Sequence, residues 1–156
     1  MPSVPNQLQM PIITNYSDKI HRSQVVTLWE SVFGYPDAHN RPAVAIDKKL
    51  AVKDELLFVA LDDAQVVGTV MAGYDGHRGW IYSVAVAPKF RRCGLGASLV
   101  RHAESALIRI GCVKINLQIL EGNESVTRFY ESLGYQVEKR ISMGKKIPQN
   151  VPLNGG

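Results

Sequence analysis

One stretch of the chain has the makings of an anion site. In VAVAPKFRRCGLGASLVRHAESALIRIG, running from Val84 to Gly111, a β-prone segment breaks at Pro88, passes Arg91 and Arg92, meets Gly94 and Gly96, and becomes a helix. Gly94 and Gly96 can take positive φ and let a ligand approach bare backbone. The first turn of a helix presents N–H groups with no internal partner, together with the positive end of the helix dipole. Phosphate is the usual guest of such a turn. Two familiar phosphate loops do not fit. A P-loop needs G-x-x-x-x-G-K-[ST], and no lysine follows Gly96. A dinucleotide fingerprint needs a third glycine, where this chain has Leu99, and an acid near the end of the next strand, which is apolar here.

The elements that must position this loop can be read from periodicity and turn residues. IITN is expected as a short first strand. SDKIHRSQVVTLWESVFG carries Ile20, Val25, Leu28, Trp29 and Val32 at helical spacing, with Ser17 as N-cap and Gly34 as stop. YPDAHNRPA reads as a loop and AIDKKLAVKD as a short second helix. ELLFVALDD, AQVVGTVMAGYDG and WIYSVAVAP read as three strands, with a tight turn near Asp62–Ala64 and another at YDGHRG. After the glycine loop, Leu95, Leu99, Ala103, Ala106, Leu107 and Ile110 form an apolar stripe that Gly111 ends. VKINLQIL is a further strand. EGNESVTRFYESLGY is a helix opened by Asn123 and closed by Gly134, and YQVEKRISMGKKI supplies one or two final strands. The order is β-α-α-β-β-β-α-β-α-β. That is an α/β chain of mixed, α+β character, with a mostly antiparallel sheet and four helices. Residues 1–10 are expected as a loose extension, 11–147 as one domain and 148–156 as a flexible tail.

The pattern that the glycine loop does match is [Q/R]-x-x-G-x-[G/A], met here by Arg91, Gly94 and Gly96. In this the chain resembles the GNAT superfamily of N-acetyltransferases. NESVTRFYESLGY resembles the same superfamily: an Asn opens a helix, a Tyr follows seven residues later and a Gly-aromatic pair closes it, as Asn123, Tyr130, Gly134 and Tyr135 do. VVGTVMAGYDGHRG is similar to the small bacterial YpeA-type members. The resemblance covers roughly Ile20 to Lys146. It implies acetyl-CoA as cosubstrate and a strand, Ser83–Val86, splayed from its neighbour so that Ser83, Val84, Ala85 and Val86 can pair with pantetheine. It implies that the N–H groups of Arg92, Cys93, Gly94, Leu95, Gly96 and Ala97 hold the diphosphate, with charge from Arg91 and Arg92. Asn123 would bond the pantetheine arm. Arg128 would either reach the adenosine 3′-phosphate or lie on the surface. Tyr130 would be the acid at the thioester sulfur, although a helical tyrosine can equally be a core aromatic.

The implied reaction is direct attack of a primary amine on the thioester. The alternative is a catalytically weak acyl-CoA-binding regulatory module. A cysteine nucleophile is disfavoured, because Cys93 falls in the phosphate loop. WIYSVAV has no Glu or Asp, where many members of the superfamily carry a base; Asp75, His77, Tyr82 and Ser83 are the candidates that remain. The acceptor would be a small-molecule amine, a protein N-terminus or a lysine, gripped by the first two helices and the Tyr35–Pro42 loop.

Composition narrows the field further. The 156 residues are 46% hydrophobic and 21% charged, ordinary for one globular domain. The net charge of +4 suits an anionic small molecule, and clusters as short as KFRR and GKK argue against nucleic acid. Cys93 and Cys112 have no disulfide or zinc spacing, and the histidines are scattered, so no metal is expected. No apolar run is long enough for a membrane span. The N-terminus lacks the basic and apolar regions of a secretory signal, so a cytoplasmic location is expected. A homodimer is compatible with this frame.

Overall fold

The apolar runs that alternate weakly, or not at all, become strands buried on both faces. The computed structural model describes residues 9–34 and 41–149. The chain divides into two compact units, Met1–Gln118 and Ile119–Gly156. The first holds β1 (Ile12–Asn15), α1 (Asp18–Phe33), α2 (Pro42–Val52), β2 (Leu57–Asp62), β3 (Gln65–Tyr74), β4 (Gly79–Val86), a 3-10 turn over Pro88–Phe90, α3 (Leu95–Arg109) and β5 (Ile115–Asn116). The sheet order is β1-β2-β3-β4-β5. All neighbours are antiparallel except β4 and β5. The second unit holds α4 (Glu124–Ser132).

Helices cover both faces of the sheet. Val25, Leu28 and Trp29 of α1 and Ile46 of α2 pack with Leu57, Val59, Val66 and Ala85. On the other face Leu95, Leu99, Val100, Ala103 and Leu107 of α3 are buried. Phe58 meets His102 of α3 edge to face, with ring centroids 4.6 Å apart. The α3 contact is close because glycine lies under it. A Cβ on Gly68 would come within 2.9 Å of the Leu99 side chain, and one on Gly79 within 3.0 Å of the Leu107 side chain. α3 is thereby seated on β3 and β4, which fixes where its N-terminus emerges.

Ser17 caps α1 as expected, but through its main chain: its N–H donates to His21 Nδ1 at 3.0 Å. Burial holds the His21 imidazole below its ordinary pKa, so the ring is neutral and able to accept that proton. α2 begins at Pro42, earlier than the expected Ala45, because proline's fixed φ suits the first helical position. VKINLQIL forms only the two-residue β5. The final strands expected over 135–147 are absent among the described residues. That segment has the right propensity, but a strand is made by a partner and not by propensity alone. Residues 1–8, 35–40 and 150–156 lie outside the described residues, and with them most of the expected extension, acceptor loop and tail.

Candidate active site

The first part of the site is the end of β4. Its ladder with β5 consists of Gly79 against Ile115 and Trp80 against Asn116, so among the described residues Ile81 to Val86 have no ladder partner on that side. This is the expected splay. On its other side the register with β3 slips between Thr69 and Met71, which face Ala85 and Tyr82 respectively. Ser83 and Val84 therefore stand opposite Val70 alone, a β-bulge. Ser83 adopts φ 50, in the left-handed region that a residue with a side chain seldom enters. Its carbonyl accepts the Thr69 hydroxyl at 2.9 Å, and that hydroxyl accepts the Trp29 indole N–H at 2.8 Å.

The second part is the loop that follows. After the Pro88–Phe90 turn, Arg91 is extended, Arg92 has φ 62, and Gly94, the N-cap of α3, has φ 84. A Cβ on Gly94 would meet nothing within 4 Å, so glycine is needed there for its backbone conformation and not for space. The first bond of α3 runs from the Ser98 N–H to the Gly94 carbonyl, 3.0 Å. The N–H groups of Leu95, Gly96 and Ala97 precede that bond and have no partner within the helix. The first turn holds no acidic residue. Arg91 folds back so that its Nε donates to the Val86 carbonyl at 3.2 Å, tying the loop to the end of β4. The exposed Cys93 donates its thiol to the Phe90 carbonyl at 2.6 Å. The donor set is main-chain amides, a helix N-terminus and two guanidinium groups, which fits a diphosphate.

The remaining sequence-predicted residues belong to the second unit. Asn123 is the N-cap of α4, yet its side chain makes no bond to the helix N–H groups. Its amide oxygen accepts a long contact from the Ser125 hydroxyl, 3.4 Å. Arg128 lies on the exposed side of the helix, 3.9 Å from the Glu124 carboxylate. Tyr130 is buried between Phe129 and Tyr135, with ring centroids 5.0 and 5.7 Å away. Burial alone pushes its phenol up to about 12.

The candidate bases fare differently. The Asp75 carboxylate accepts the N–H groups of His77 and Arg78 at 2.8 and 2.7 Å. Those bonds hold its pKa below the usual carboxylate range, making it a poor proton acceptor. Burial, reinforced by the Asp75 charge, raises the Tyr82 phenol, which is therefore neutral. Tyr82 stacks on Trp80, with centroids 6.5 Å apart. Among the described residues no group of three or more His, Cys, Asp or Glu could hold a metal ion, and no helix is long and apolar enough to cross a membrane.

The sequence matches the acetyltransferase (GNAT) family over residues 23–135. That span includes β4, the glycine loop and all of α4. The chain belongs to the GNAT acetyltransferase family. The fold of this acetyltransferase is shared by several solved structures. A transcriptional regulator from Bacillus halodurans superposes with a TM-score of 0.70 at 22% identity, over 89% of this chain and 100% of its own. An aminoglycoside antibiotic 6′-N-acetyltransferase from Acinetobacter haemolyticus gives 0.70 at 22%, over 88% and 99%. The NatC complex bound to Gag peptide and CoA gives 0.74 at 21%, over 85% and 89%.

Within the acetyltransferase's first unit the fold brings Ser83–Val86 and Arg91–Ala97 into one continuous run, strand end to helix start. Asn123, Arg128 and Tyr130 share α4 in the second. Sequence reasoning missed Thr69 and read Trp29 only as an apolar residue of the first helix, not as a hydrogen-bond donor. Thr69 lies inside the apolar run VVGTVMAG, and the only available signal was a hydroxyl where a valine would be ordinary.

Proposed function

We propose that this chain transfers the acetyl group of acetyl-CoA to a primary amine by direct attack, and that it works in the cytoplasm. The observation that carries this reading is the run from Ile81 to Ala97. An unpaired strand edge leads without interruption into a helix start with three open N–H groups and two arginines. Acetyl-CoA supplies an activated acyl thioester. The main chain of Ser83–Val86 would take the amide arm of pantetheine, and the N–H groups of Arg92–Ala97 the diphosphate. Arg91 and Arg92 contribute charge, Asn123 a side-chain amide to the arm, and Arg128 a guanidinium to the 3′-phosphate.

Open amides on β4 are suited to the oxyanion that forms on attack. Tyr130 would donate its proton toward the leaving sulfur. With the phenol at about 12 and an ordinary thiol near ~8.5, complete transfer to a thiolate is uphill. Tyr130 therefore acts chiefly as a hydrogen-bond donor to the developing charge.

The acceptor is narrowed by what lies near β4. Neutralising a lysine amine at neutral pH costs roughly 4–5 kcal/mol, an α-amine only about 1–1.5. Of the four candidate bases, Asp75 and Tyr82 are poorly placed in pKa to remove that proton, the His77 Nε2 is engaged by the Arg78 guanidinium, and Ser83 offers only a hydroxyl. This favours an amine of low pKa, on a small molecule or a peptide N-terminus, over lysine. The same observation keeps a second reading alive, a catalytically weak acyl-CoA-binding regulatory module.

Calorimetry with acetyl-CoA, followed by thiol release against amino acids, polyamines, aminoglycosides and peptides with free N-termini, separates the two. Turnover on a low-pKa amine is expected. Tight binding with no turnover on any amine would establish the regulatory module, and no binding would end both.

A further inference from the structure

The bulge in β4 is held by a polar chain that the loop and helix motifs do not include. Trp29 of α1 donates its indole N–H to Thr69 Oγ1 of β3, and Thr69 donates its hydroxyl proton to the Ser83 carbonyl of β4. Trp29 is 3% exposed and Thr69 0%, so water does not compete for either bond. A threonine hydroxyl has one proton. Because the Trp29 N–H can only donate, that proton is committed to Ser83, and the bond has one direction.

Its consequence is geometric. In a trans peptide the carbonyl and the following N–H point opposite ways. Fixing the Ser83 carbonyl on Thr69 therefore aims the Val84 N–H away from the Thr69 hydroxyl, and on the β5 side β4 has no ladder partner among the described residues beyond Trp80. Ser83 itself stands at φ 50, a conformation that persists only where the surroundings over-determine it.

We propose that Thr69, oriented by Trp29, is a positioning residue for acetyl transfer: it locks the Ser83–Val84 peptide plane so that the Val84 N–H faces the thioester carbonyl oxygen. This rests on the acetyl-transfer reading above. Neither side chain touches the reacting atoms, so both act through the main chain.

The test uses Thr69→Val, which keeps the shape and removes the hydroxyl. Thr69→Ser keeps the hydroxyl and loses a methyl, and Trp29→Phe frees the hydroxyl to rotate. Three readouts are taken on each full chain: acetyl-CoA Kd by calorimetry, kcat for thiol release with the best amine of the panel, and the infrared carbonyl stretch of bound [1-13C]acetyl-CoA. In the wild type the stretch is expected below that of free acetyl-CoA. In Thr69→Val it returns toward the free value and kcat falls about 10²-fold, while Kd stays within about threefold because the glycine loop is untouched. Thr69→Ser restores both stretch and kcat even if its melting temperature is lower. Trp29→Phe falls between.

A merely structural role predicts lower melting temperatures with the stretch unchanged, and that outcome overturns the proposal. So does a Thr69→Val kcat within threefold of wild type. If Thr69→Val fails to fold, an unchanged stretch and kcat in Trp29→Phe overturn it equally. Failure of the wild type itself to bind acetyl-CoA removes the acetyl-transfer reading first, and this inference with it.

Discussion

The glycine loop and α4 are built from opposite materials. The loop offers main chain: the N–H groups of Leu95, Gly96 and Ala97 at the start of α3, held by two left-handed residues, Arg92 and Gly94. α4 offers side chains on a regular helix: the amide of Asn123, the guanidinium of Arg128 and the buried phenol of Tyr130. A main-chain site depends on where the backbone can go. A side-chain site depends on which atoms hang from a backbone that any helix former would supply. The two should therefore fail differently. Damage to the loop should appear in cofactor affinity, and damage to α4 in the chemistry or in one contact.

The largest effect is expected from Gly96→Val. A branched side chain in the first turn of α3 would crowd the anion and shield two or three amides. Charge-assisted bonds contribute about 1.5–3 kcal/mol each, so acetyl-CoA affinity should drop by at least ~10²-fold while circular dichroism and melting stay near wild type. Gly94→Ala sharpens the point. Its Cβ meets nothing, so only the left-handed conformation is penalised, by about 1–2 kcal/mol. Affinity should fall less than in Gly96→Val, with a modest loss of melting temperature. Unchanged calorimetric affinity in both variants would show that the diphosphate is held elsewhere.

Tyr130→Phe should invert that pattern. The ring can keep its packing with Phe129 and Tyr135, and only the hydroxyl is lost. kcat should fall about 10²-fold, with acetyl-CoA affinity within twofold. The pH profile gives a second check. In the proposed role the phenol would work in its protonated form, and with burial pushing its pKa up to about 12 it stays protonated throughout an assay from pH 6 to about 10. The rate should climb as the acceptor amine loses its proton and show no descending limb from Tyr130. Wild type and variant should differ in height and not in shape. A limb near pH 8–9 that vanishes in Tyr130→Phe would mean that the phenol titrates far below its buried value, and the contrast with the loop would need another basis.

This difference in materials also explains what the sequence made legible. The loop was readable because Arg91, Gly94 and Gly96 are local: backbone freedom and charge are written within six residues, and Gly94 does adopt φ 84. The ends of α1 and α4 were readable for the same reason, from Ser17, Gly34, Asn123 and Gly134. The β4 bulge was not. It arises from register between two strands, and Ser83 shows nothing unusual in isolation. The Trp29–Thr69 bond joins residues forty positions apart, beyond any local pattern. Strands failed where the partner was missing: VKINLQIL kept two residues and YQVEKRISMGKKI none. Of the site, the main-chain half was legible from residue types. The roles on α4 were reached only by resemblance, because an asparagine cap and a buried tyrosine are common on helices of no special function.

Arg128 should give the smallest effect, and it is the residue where the comparison could blur. Its guanidinium is exposed and 3.9 Å from Glu124, a surface pair of the kind that adds little to stability. Arg128→Ala should leave the melting temperature unchanged. If the guanidinium meets the 3′-phosphate, CoA affinity should fall about three- to tenfold at low salt, and the gap should shrink as salt screens an exposed contact. Dephospho-CoA, which lacks that phosphate, separates the contact from a general field effect. Wild type and Arg128→Ala should then bind it equally, because the side chain has nothing left to meet. An equal loss with both ligands would place Arg128 in the diffuse positive potential around the diphosphate. A side chain would then be contributing in the manner of the loop, as field and not as a specific contact.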